Sequence, residues 1–198
     1  MEGHDGALRG TGQAAPHLTR RLRRGAWLLA LGTGLAACVT PPPAVTLPPA
    51  ATTQAPADPV EAALRGAAGF FDTASRGDPA AAALAVAQLE FLAVEIPAGR
   101  SRREMGTLTA PALQAARHDV RAALNIPDAV PPQRVIDAMA LLAAGGTPPD
   151  MDAAGLRSRL AALPRIPQAN AATRMALRDW EFGPPQELLE EARLRWPR

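Results

Sequence analysis

Few residues of this chain could do chemistry, and those few do not gather. Cys38 is the only cysteine, and His118 is the only histidine beyond residue 37. A zinc site needs three or four N, S or carboxylate ligands. The stretch Ala116-Arg117-His118-Asp119-Val120 offers one neighbouring carboxylate, so His118 reads as a solvated helix residue and no metal site is expected. Ser75, Ser101 and Ser158 are the serines, and none lies in a Gly-x-Ser-x-Gly turn that would present a nucleophile. No glycine loop is built to cradle a phosphate. Glu90 and Glu95 flank the most apolar segment, and burial can adapt such a pair to acid–base work. The plainer expectation is that one pairs with an arginine of the following loop and the other is solvated. Arg100, Arg102 and Arg103 could grip a phosphate headgroup or an acidic partner. Trp180 and Phe182 could anchor an interface, or close a small core. These five are the candidate partner contacts. No catalytic residue and no cofactor is expected.

The surroundings of Cys38 give its thiol a use. Arg20, Arg21, Arg23 and Arg24 precede Ala26–Ala37, an uncharged run holding Trp27, Leu28, Leu29, Leu31 and Leu35. Twelve residues are too few for an ordinary membrane-spanning helix, which takes about 20. A basic region, a short apolar region and small residues before a cleavage point are the parts of a secretory signal. With Leu35-Ala36-Ala37-Cys38 at its end, the leader resembles the signal of a bacterial lipoprotein. The resemblance covers residues 20–38 only. It implies cleavage before Cys38, a lipid on its sulfur, and anchorage in the cell envelope. Val39, rather than aspartate, follows the cysteine, which in that family points to the outer membrane and a domain facing the periplasm.

Removing residues 1–37 changes the charge balance. The whole chain carries 21 basic and 19 acidic residues. The part from Cys38 onward holds 16 arginines against 17 acids, a net charge near −1. The basic character therefore belongs partly to the leader, and nucleic acid is not an expected partner.

Behind Cys38, residues 39–57 contain Pro41, Pro42, Pro43, Pro48, Pro49 and Pro56 with threonines between them. Proline fixes φ and lacks an amide hydrogen, so neither helix nor sheet propagates. Residues 38–57 are expected to be a disordered, extended and solvated tether, reaching roughly 60 Å at about 3.1 Å per residue.

Residues 58–198 suffice for one small domain, and their apolar spacing is helical throughout. Asp58-Pro59-Val60-Glu61 and Asp78-Pro79 are helix starts, the first with the pattern of a capping box. Helices are expected over 58–77, 79–96, 110–125, 132–144, 152–163, 168–180 and 185–196, with no sheet. The fold class is thus all-α, six or seven short helices in antiparallel hairpins. The helix over 79–96 is apolar most of the way round, which marks it as central. Gly66 and Gly69 weaken the first helix, and close approach of a neighbouring backbone, that of the second helix for one, would compensate. Residues 58–146 are expected to be better packed than 147–198, which has more breaks and is expected to be mobile or to fold on a partner. The segment Ala62–Pro97 resembles one tetratricopeptide unit at its Gly77-Asp78 turn, but no second copy follows at that period.

Three function classes follow. A scaffold or adaptor lipoprotein docking onto another envelope protein predicts an exposed apolar or arginine-edged groove and no polar cavity. A carrier of a lipid or other apolar ligand predicts a cavity lined by residues such as Phe70, Phe91, Leu92 and Met139. An enzyme needs convergent polar groups, which this composition disfavours. The adaptor reading is preferred and the carrier is the alternative.

Overall fold

The computed structural model describes residues 42–49, 58–73, 77–183 and Arg195. The leader, with Leu35, Ala36, Ala37 and Cys38, and the seventh expected helix over 185–196, Arg195 apart, lie outside the described residues. Within them are six α-helices and no strand: α1 (Pro59–Asp72), α2 (Pro79–Glu95), α3 (Thr109–Leu124), α4 (Pro132–Ala143), α5 (Ala153–Ala161) and α6 (Pro167–Phe182). The fold is all-α.

The helix starts follow the local chemistry. Asp58 accepts a hydrogen bond from the Val60 amide at 2.8 Å. Asp78 accepts from the amides of Ala80 and Ala81 at 2.9 and 3.0 Å. Each satisfies donors that no helical carbonyl can reach, with proline at the first helical position. The capping box does not form at α1, where Glu61 instead bonds to Arg65 one turn on. Asn125 ends α3 in the left-handed conformation, φ 56°, and Gly145 with φ 79° follows α4.

Thirteen of the 17 residues of α2 are buried, which leaves no solvent face. It packs against α1, α3, α4 and α5, while α6 lies on α1 and α3. One hydrophobic core joins all six helices. The described part of 147–198 packs into the same core as 58–146. Leu156, Leu160 and Leu163 are buried, and α6 is 16 residues long with a buried face of Ala169, Ala172, Ala176 and Trp180. Alanines suffice there because small side chains let helix backbones approach closely.

The two glycines of α1 differ. A Cβ at Gly66 would collide with the carboxamide of Gln88, which is itself buried against α1. Gly69 is exposed and faces nothing within 4 Å. Gly69→Ala is expected to stabilise the fold by about 1 kcal/mol through helix propensity alone. Gly66→Ala is expected to forfeit that gain, because Gln88 must move. Urea unfolding of the two variants checks this, and equal stabilisation by both would refute it.

Candidate functional site

The loop between α2 and α3 carries the three arginines singled out by sequence, and each has a separate partner. Arg100 grips Glu95 with two hydrogen bonds, 2.8 Å from Nε to Oε2 and 2.9 Å from Nη2 to Oε1. These bonds raise the Arg100 guanidinium above the ordinary arginine range, outweighing desolvation. A cation whose folded pKa is raised contributes its stabilisation in full below its unfolded pKa. The clasp is therefore not titrated from the arginine side near neutral pH. Arg102 is 75% exposed and lies 3.5 Å from Asp58. Arg103 donates to the Trp180 carbonyl at 2.6 Å and stacks its guanidinium 5.2 Å from the Trp180 ring centroid. Trp180 is buried, whereas Phe182, two residues on, is 81% exposed. Of the five candidate contacts, only Arg103 and Trp180 meet: Trp180 lies in the core and the exposed Arg103 covers its ring.

Arg100 and Glu95 also hold a part of the chain expected to be free. Arg100 donates to the carbonyls of Pro42 and Pro43 at 3.2 and 3.5 Å. The Val45 amide donates to Glu95 Oε1 at 3.1 Å. Thr46 exchanges two hydrogen bonds with the Gln133 side chain, at 2.8 and 3.1 Å. Val45 is only 6% exposed and joins the hydrophobic core. The picture of 38–57 as a solvated tether throughout is corrected for 42–49, which lie against the domain. An extended proline-rich backbone has no internal hydrogen bonds, so its carbonyls and remaining amides are free for side chains to bind. Val45 and Leu47, two apolar residues two apart, were the sequence signal for this contact.

The second carboxylate is not solvated either. Glu90 is buried and forms a fork with Arg121, at 2.5 Å from Nε and 2.8 Å from Nη2. Arg117 approaches the same carboxylate at 3.4 Å. Burial lowers the Arg117 guanidinium below its ordinary range, against the opposing pull of Glu90. Arg121 is wholly buried, and its Nη1 donates to the carbonyls of Pro127, Asp128 and Val130. It therefore fixes the α3–α4 turn to α2. Glu90 and Glu95 do not share a site, since each is clasped by its own arginine.

Asp179 of α6 is another buried acid. Its Oδ2 accepts from the Gly106 amide at 3.0 Å and from the Thr109 hydroxyl. Its Oδ1 has no hydrogen-bond partner, and Arg178 stands 3.6 Å away. These bonds tie the end of the arginine loop to α6. His118 is exposed, with Nδ1 3.0 Å from Asp128. No group of three metal-ligating side chains occurs among the described residues. No helix among them is long and apolar enough to cross a membrane.

Two adjoining concavities lie along α4, of about 430 and 330 Å³, sharing Arg134, Asp150 and Met151. The first is floored by Leu141, Pro148, Pro149 and Met151 and edged by Arg134 and Asp137. The second continues past Ile126 and Leu156 to Arg159. Leu141 is one of three large apolar residues left exposed among the described residues. A third concavity, about 800 Å³, opens on α6 between Arg165, Arg174 and Arg178. Phe91, Leu92 and Met139 are buried in the core and Phe70 is half-buried; none of the four lines these concavities. Sequence reading missed the α4 groove. Its floor comes from a proline-rich turn, whose placement against α4 is a tertiary matter.

No family model, curated protein or solved structure matches this chain.

Proposed function

We propose that this protein is a lipid-anchored adaptor of the bacterial cell envelope. In this reading Cys38 carries the lipid, the domain faces the periplasm from the outer membrane, and the α4 groove receives a segment of another envelope protein. The observation that carries the reading is the groove itself: an apolar floor of Leu141, Pro148 and Met151 between charges of both signs, Arg134 and Arg159 against Asp137 and Asp150. Such an edge suits a peptide that presents an apolar ridge flanked by both signs of charge, and disfavours a purely anionic or cationic partner. An adaptor needs no catalytic group, and the buried carboxylates Glu90 and Glu95 each belong to a structural ion pair.

A photo-crosslinking residue at position 141 in the native envelope tests the reading. One defined envelope protein is expected to crosslink there and not from position 119, an exposed site on α3. Leu141→Asp is expected to abolish co-purification of that protein while leaving the fold intact, since Leu141 is already 39% exposed. Equal crosslinking from both positions, or none at 141, rejects the groove as the docking site.

A further inference from the structure

We infer that the docked segment 42–49 seats one end of the domain, carrying Arg102, Leu108 and Phe182, directly on the bilayer. The inference rests on the lipid anchor of the proposed function and specifies what that anchor does. Pro42 and Pro43 are held by Arg100, and Val45 by Glu95 and the core. The free chain between the anchor and the domain is thereby reduced to the residues from Cys38 to Pro42. At no more than about 3.6 Å per residue, these four steps span at most roughly 14 Å whatever their conformation. A free tether of 19 residues would have reached several times further.

The surface next to that exit suits a bilayer. The loop that begins at Arg100 runs past Arg102, 75% exposed although its Nε lies 3.5 Å from Asp58, and ends at Leu108, 62% exposed. Gly106 and Thr109 bind Asp179, which places Leu108 beside the last turn of α6. That turn ends in Phe182. Leu108 and Phe182 are two of the three large apolar residues exposed among the described residues. Exposed leucine and phenylalanine beside an arginine fit the headgroup–acyl boundary, where apolar side chains insert about 5–10 Å and cations meet phosphates. The occupant is the lipid surface, because the chain cannot carry this end far from it. The groove along α4 runs from Gln133, at the docked segment, to Leu141 on the helix flank, and stays open to a periplasmic partner.

The test uses the full-length protein, processed in cells and reconstituted in vesicles of phosphatidylethanolamine and phosphatidylglycerol doped with nitroxide-labelled lipid. A lipidated Cys38 takes no thiol dye, so single cysteines can be labelled at Leu108→Cys, Phe182→Cys and Arg165→Cys. Quenching by the labelled lipid is expected to be several-fold stronger at 108 and 182 than at 165. Val45→Asp, which undocks the segment, is expected to equalise the three sites while the protein stays in the membrane fraction. A long Gly/Ser insert between Pro41 and Pro42 leaves the folded part untouched and is expected to do the same. Equal quenching at all three sites of the unmodified protein, or a pattern that survives both the substitution and the insert, overturns the inference with the anchor intact. If Cys38 itself takes the dye, there is no lipid on it, and the anchor reading falls instead.

Discussion

Arg121→Ala is expected to destabilise the domain by about 3–5 kcal/mol, the cost of leaving a buried partner charge uncompensated. Glu90 would then be alone in a helix buried all round, with Arg117 at 3.4 Å as its nearest cation. The same substitution frees three carbonyls of the α3–α4 turn. Glu90→Ala is expected to cost a comparable amount, because it strands Arg121. The double replacement Glu90→Leu with Arg121→Met is expected to recover much of the loss, since an apolar pair of similar volume needs no desolvated charge. Chemical denaturation of the unmodified protein, Glu90→Leu, Arg121→Met and their combination checks this as a double-mutant cycle. Additive losses would mean that the two side chains do not act as a pair.

Trp180→Ala is expected to cost about 3–5 kcal/mol, the range for removing a large buried aromatic. Trp180 lies in the core and receives the Arg103 guanidinium on its ring, so the loss also loosens the arginine loop. Phe182→Ala should change stability by less than about 0.5 kcal/mol, because an exposed side chain leaves no cavity. Thermal unfolding separates the two. A large loss at Phe182, or a small one at Trp180, would reverse their assignment to surface and core. The contrast matters for function, since only Phe182 is available to a membrane or partner.

How much could be read without the fold varies with the range of the interaction. The starts of α1 and α2 were legible because an Asp-Pro pair acts within three residues: the aspartate binds the first free amides and the proline needs no partner. The central place of α2 was legible because a helix without a polar face must be covered on all sides. The arginine loop was legible as charged, and one of Glu90 and Glu95 was expected to pair with one of its arginines, a place that Glu95 takes; the other, expected to be solvated, is buried against Arg121. The α6 helix was undervalued, since its alanines carry little hydrophobic signal yet pack closely against α1 and α3.

By itself, then, the sequence determined the six described helices, the aspartate caps of α1 and α2, and the all-α class. These depend on periodicity and on neighbours a few residues apart. Only the tertiary structure decided which arginine answers Glu90, that Gly66 meets Gln88, that a proline turn floors a groove on α4, and that residues 42–49 lie on the domain. Val45 and Thr46 find their partners 50 and 87 residues away. Proline composition excludes helix and sheet for such a segment, but what its unpaired carbonyls and amides bind is set by which side chains the folded helices bring beside them.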